Sequence, residues 1–197
     1  MNKAAAACLV VFLVCLASGS FAQEEGVKMK SAVMIVAQGN FRDEELLQPK
    51  AVLERNGITV KIASTTLKEI EGMLGARVTP DILLSDLDYR NFDAVIFVGG
   101  SGASQYWDDP LAHEIARLAQ SNNKVVAAIC IAPVTLAKAG LLKGKRATVW
   151  QSEGKQLQAH GATYTARPVE KDVNIITAAG PFAAREFGEE ISRALSK

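Results

Sequence analysis

Two kinds of segment alternate along the chain. Short, unbroken apolar runs occur at residues 32–37, 94–98 and 125–129. Each suits a strand buried on both faces and is too short for an ordinary helix. Between them the apolar spacing turns helical. Residues 44–56 predict a helix closed by Gly57, and residues 59–64 the strand that follows. Asp109 and Pro110 supply an N-cap and a first-turn proline for a helix with Leu111, Ile115 and Leu118 on one face. Gly180 and Pro181 open a last helix, in which Ala183, Phe187, Ile191 and Leu195 recur every fourth residue. Residues 146–149 and 173–177 read as further strands, with helix-like 153–159 between them. The stretch 68–87 is less regular and reads as small strands or a hairpin around Gly72 and Gly75. Strands and helices in this alternation imply a parallel sheet covered on both faces. Sites on such sheets lie beyond the C-terminal ends of the strands.

The run 125–129 is followed almost at once by a helix-forming run, with Pro133 where an opening turn tolerates a missing N–H. Cys130 therefore sits where a strand turns sharply into a helix. Unpaired N–H groups and the positive end of the helix dipole favour thiolate there, predicting a pKa below the roughly 8.5 of a free thiol. The loops at 38–45 and 99–104 fall beside Cys130 by the same strand-end rule. The first carries Asp43, Glu44 and Glu45, then Pro49, which cannot donate to the Glu45 carbonyl. Burial would push a carboxyl at Glu45 towards its neutral form, able to donate a hydrogen bond to a thiolate. The alternative is an acidic helix start facing solvent, which the dipole also favours. Asp43 and Glu44 are expected to face solvent. Gly99 and Gly100 let a backbone approach a ligand and offer N–H groups to a developing oxyanion, or else form a plain turn.

Composition narrows the range of partners. Residues 1–22 have a basic start at Lys3, an apolar run at 4–17 and small residues at Ser20 and Ala22. The apolar run falls short of the roughly 20 residues that span a bilayer, so the pattern reads as a cleaved signal peptide. Residues 23–30 read as a mobile polar lead-in, and 31–197 as one domain. Without the signal, 21 basic and 21 acidic residues remain, a balance that invites neither nucleic acid nor a membrane surface. Cys8 and Cys15 leave with the signal, so Cys130 stays as a single cysteine without a disulfide partner. The segment Gly100-Ser101-Gly102-Ala103-Ser104 imitates a dinucleotide loop, but Gln105 replaces its third glycine. Trp107, Tyr106 and Trp150 are candidates for the walls of a cleft near Cys130, or for core packing.

The ordered set Ala128-Ile129-Cys130-Ile131-Ala132-Pro133, Glu45 four residues before Pro49, Asp93 through Gly100, and Thr177-Ala178-Ala179-Gly180-Pro181 resembles the ThiJ/PfpI family across essentially the whole mature chain. These are relatives of the parkinsonism-associated protein deglycase, in the class I glutamine amidotransferase-like fold. The resemblance implies a single-domain α/β parallel-sheet sandwich of flavodoxin-like type, with helices on both faces and a cysteine nucleophile elbow. It implies Cys130 as nucleophile and Glu45 as its hydrogen-bonding acid. Gly99, Gly100 and Ile131 would form the oxyanion and substrate site, with backbone amides of Gly100 and Ile131 as donors, and Trp150 beside them. It implies neither a bound cofactor nor a metal, and a homodimer as the assembly. Family activities include peptidase, glyoxalase, deglycase-type and hydratase chemistry, and redox-linked chaperoning.

One departure bears on mechanism. Peptidase-type members place His directly after the cysteine, where this chain has Ile131. Other members carry His beyond the next strand, where this chain has Trp150. His113 and His160 fall elsewhere, so a Cys–His dyad for amide cleavage is missing. Three readings remain open. One is an enzyme whose Cys130 attacks a small-molecule electrophile such as a 2-oxoaldehyde. Another is a redox sensor or chaperone whose Cys130 reacts with peroxide. The third is a peptidase borrowing its base from a neighbouring subunit. For the exported form, periplasmic or secreted, N-terminal sequencing is expected to begin at Gln23. A full-length cytoplasmic chain would overturn that expectation.

Overall fold

The computed structural model describes residues 29–196. The signal-peptide expectation for 1–22 lies outside the described residues, as do residues 23–28 of the lead-in expected at 23–30. Seven strands form the main sheet: β1 Ser31–Ile35, β2 Thr59–Ser64, β5 Ile82–Leu83, β6 Ala94–Phe97, β7 Val125–Ile129, β10 Val169–Asp172 and β11 Ile175–Ala178. Their spatial order is β10-β11-β7-β6-β1-β2-β5, and every neighbouring pair is parallel except β10 with β11. Two small ribbons lie outside it, β3 Ile70–Glu71 with β4 Arg77–Val78, and β8 Arg146–Ala147 with β9 Thr163–Tyr164.

Alternate strand residues face opposite layers, which is why the central strands are apolar at every position. Met34, Ile96 and Ile129 point to one core, covered by α1 Asp43–Arg55 and α5 Ala184–Leu195. Val33, Val95 and Ala128 point to the other, covered by α2 Pro110–Ser121, α3 Pro133–Lys138 and α4 Gly154–Ala159. Asp109 caps α2 as its sequence suggests, accepting the Leu111 and Ala112 N–H groups at 2.8 and 3.1 Å. Phe187, Ile191 and Leu195 are buried along α5, and Ala183 is buried in the turn just before it. Among the described residues, no helix is long and apolar enough to cross a membrane.

Several expectations need correction. Leu118 is exposed, because α2 packs through Ala112, Ile115, Ala116 and Ala119, small residues that let it lie close to the sheet. The strand expected at 146–149 shortens to β8, since residues 148–150 leave the ribbon to run beneath Cys130. Val173, expected in a strand, is the exposed tip between β10 and β11, with a left-handed φ of 56°. The antiparallel β10 was not expected, because its alternating charged sequence carries no apolar run.

The approach of α1 to α5 matters for the site, since α1 carries Glu45. It depends on Gly188, where an added Cβ would lie 2.8 Å from the Pro49 Cα and 3.1 Å from the Val52 Cβ. Gly188→Ala gains about 1 kcal/mol of helix propensity but overpacks a backbone contact, a cost of roughly 1–3 kcal/mol. The expected net result is destabilisation, read as a lower urea midpoint with an unchanged slope.

Candidate active site

The C-terminal ends of β1, β6, β7 and β11 open on one side, and the polar groups of interest gather there. Cys130 follows β7 directly and takes a φ of 62°, a left-handed conformation that costs a non-glycine residue about 1–2 kcal/mol. Two hydrogen bonds hold it. Its N–H donates to the Ala178 carbonyl at 2.9 Å, and its carbonyl accepts from the Trp150 N–H at 2.8 Å. The sharp turn aims the side chain away from the sheet and into a cleft.

Glu45 reaches the same point from the first turn of α1. The Arg42 N–H donates to the Gly99 carbonyl at 3.0 Å, fixing the helix start against the end of β6. A helix turns about 100° per residue, so the three consecutive acids diverge. Glu44 pairs outward with Arg42 at 2.8 Å. Asp43, expected in solvent, is instead buried, because the tip of the β3–β4 hairpin folds over it. Glu45 turns inward and is wholly buried against Cys130. Gly99 makes this possible, since a Cβ there would collide with the Glu45 carboxyl, the Cys130 Cβ and the Ile129 carbonyl. Gly100, with φ +100°, turns the chain past the backbone of residues 40–42.

Burial pushes the Glu45 carboxyl from 4.5 up to about 8, with the Cys130 thiol and the Arg42 guanidinium pulling the other way. The thiol is pushed up to about 12, by burial first and by the Glu45 charge second. N–H groups of Gly100 and Ile131 face the sulfur and oppose the rise. An acidified thiol is therefore corrected to a raised one. The helix expected to acidify it begins three residues later, and its opening N–H groups are already bonded: Ala132 to Ile129, Val134 to Ile131 and Thr135 to Ala132.

The cleft over Cys130 encloses about 570 Å³. Glu45, Cys130, Ile131, Gly100 and Trp150 line it, so the structure brings these expected residues together, while Gly99 packs behind them. Trp107 forms a wall, its indole N–H donating to the Ile131 carbonyl at 3.2 Å, whereas Tyr106 is core and donates to the Val36 carbonyl at 2.9 Å. Arg42, Ser101 and Ser104 line the cleft from the two loops expected beside Cys130, whereas Met73, Ser152 and Pro181 were not expected there. Of these three, Pro181 belonged to a quoted motif, and Met73 and Ser152 lie in segments with no local signature. Neither histidine lines the cleft. His113 bonds the Trp107 carbonyl at 2.8 Å and His160 that of Gln156 at 2.9 Å. No group of three or more metal-ligating side chains converges among the described residues.

The raised Glu45 pKa has a stability signature. Between about 4.5 and 8 the folded chain holds a proton that the unfolded chain releases. Its contribution is complete below the unfolded value and is lost as pH rises through the folded one. Glu45→Gln is expected to remove this fall. The urea stability of wild type relative to the variant should drop by on the order of a few kcal/mol from pH 5 to pH 9. A constant difference would place an ionised carboxyl at this site.

Comparison with known proteins agrees with the geometry. A protein of Methanocaldococcus jannaschii is 40% identical over 96% of this chain and 97% of its own length. A glutathione-independent glyoxalase of Caenorhabditis elegans is 28% identical over 84% of the chain and 89% of that protein. The crystal structure of a ThiJ/PfpI domain protein from Brachyspira murdochii superposes with a TM-score of 0.84 at 31% identity, covering 86% of this chain and 98% of that one. The model of the DJ-1/PfpI family matches residues 30–194, and with that span and these relatives the chain belongs to the DJ-1/PfpI family.

Proposed function

We propose that this protein is a thiol-dependent enzyme acting on small reactive carbonyls, with 2-oxoaldehydes as the substrate class. The observation that carries the reading is the wholly buried Glu45 carboxyl beside Cys130, with a pKa of about 8. Such a group gives and takes a proton near neutral pH, which general acid–base chemistry needs. The Cys130 sulfur adds to the aldehyde carbon, and the carbonyl oxygen gains a proton as the thiol loses its own. Glu45 relays this proton, and N–H groups of Gly100 and Ile131 support the oxyanion. Glu45 then moves the former aldehyde C–H proton to the neighbouring carbonyl carbon, while the hydroxyl proton passes to that carbon's oxygen, turning the hemithioacetal into the thioester of a 2-hydroxy acid. Water cleaves the thioester and restores the thiol. The two carbons exchange oxidation levels internally, so the sequence needs no external oxidant or reductant. In this reading the active form is exported, as the pattern of residues 1–22 suggests, and homodimeric, as the family resemblance implies.

A redox sensor is the second reading, supported by a single cysteine among the described residues and the N–H groups facing its sulfur. Its weakness is the raised thiol, because the thiolate is the form that attacks the peroxide oxygen. A peptidase would need a base that neither histidine supplies within this chain.

Methylglyoxal turnover tests the first reading. Cys130→Ala is expected to abolish it, and Glu45→Gln to lower kcat by roughly 10²–10⁴-fold. His113→Asn and His160→Asn should leave it unchanged. Wild-type protein without turnover, but with rapid peroxide conversion of Cys130 to sulfinate, would replace this reading with the sensor.

A further inference from the structure

Asp43 is a buried carboxylate that the chemistry above leaves unused. Its Oδ2 accepts the Leu74 N–H at 2.8 Å, and its Oδ1 accepts the Ala76 N–H at 2.7 Å. Both donors belong to the tip of the β3–β4 hairpin. The tip closes on itself through the Gly72 N–H to the Ala76 carbonyl at 2.8 Å, and the carboxylate sits against it. A Cβ on Gly72 would collide with that carboxylate. Two further bonds hook the same tip to the chain ahead of α1. The Met73 N–H donates to the Phe41 carbonyl at 2.8 Å, and the Asn40 N–H to the Glu71 carbonyl at 2.9 Å. Met73 is thus held between anchors and lines the cleft beside Cys130 and Glu45. Its sulfur accepts the Ser101 N–H at 3.5 Å, one residue beyond the Gly100 amide that faces the thiol.

We propose that Asp43 is a positioning residue and Met73 a specificity-determining one. The carboxylate holds the hairpin tip so that the Met73 thioether walls the cleft and restricts it to electrophiles with a small substituent. Methionine is long, unbranched and adaptable, so by itself it specifies a wall poorly. Fixing its backbone with hydrogen bonds to a charged acceptor, stronger than neutral ones, removes much of that freedom. The inference rests on Cys130 being the reactive atom of this cleft, and its test needs no turnover.

The readout is the second-order alkylation rate of Cys130 by N-benzyliodoacetamide divided by that of iodoacetamide. Both rates are normalised to a free thiol, so thiol ionisation cancels. Met73→Ala is expected to raise this ratio by roughly tenfold, the scale of a few methylenes in a pocket wall, and Met73→Leu to restore most of it. Asp43→Asn retains one acceptor but turns an amide N–H towards a backbone N–H, and should raise the ratio comparably. In the double variant the two effects should not add, because Asp43 acts through Met73. Urea melts establish that each variant is folded. If Asp43→Asn is not, Gly72→Ala, which displaces the carboxylate from the tip, is expected to raise the ratio instead. An unchanged ratio in Met73→Ala refutes the wall. Additive effects at the two positions, or an unchanged ratio on disturbing the carboxylate, refute the positioning role. A changed ratio in a protein inert towards methylglyoxal would support this inference while removing the carbonyl reading.

Discussion

The site depends on a missing side chain. Gly99 stands where β6 ends, between the first turn of α1 and the start of the Cys130 turn, and its bare Cα lets the carboxyl and the thiol meet. Arg42 bonds the carbonyl of the same residue, so the contact that admits Glu45 also sets the helix start. At the far side, Gly188 lets α5 press on Pro49 and holds α1 down on the sheet. A carboxyl brought into apolar surroundings resolves the conflict by keeping its proton instead of its charge. Its acid–base behaviour is therefore a product of packing.

The pair titrates as a unit: burial raises both groups, and a charge on Glu45 raises Cys130 further. Near neutrality both groups are protonated. That state is quiet towards general oxidants, yet suited to an electrophile that accepts a proton as its carbon is attacked. The strained elbow backbone, braced by Ala178 and Trp150, keeps the sulfur aimed while the proton moves. Trp150 contributes a backbone donor to the Cys130 carbonyl and an indole wall to the cleft.

Much of this was legible along the chain, for physical reasons that differ by element. The central strands announce themselves because both faces are buried, and α2 because Asp109 and Pro110 satisfy its first turn. The loops carrying Cys130 and Glu45 could be read together because strand-end geometry brings them to one edge, and the family resemblance singled out Glu45 among its acidic neighbours. The acidity of Cys130 could not, since it turned on which N–H groups near Pro133 were already bonded. Asp43 was misjudged because its partners are backbone amides of a hairpin some thirty residues away. Met73 was missed for the same reason. Edge strand β10 was hidden by a charge alternation that also suits an exposed loop.

That edge strand has a consequence beyond the site. A parallel sheet ends in unpaired N–H and C=O groups that invite further strands from other molecules. Here one margin is β10, where Glu170 pairs with Arg146 at 3.1 Å and Lys171 with Glu190 at 3.2 Å, and the other is β5, two residues long. Neither offers a long, flat, apolar template. The hydrogen-bonded ladder of the main sheet therefore stops inside the molecule, at two margins that suit no incoming apolar strand.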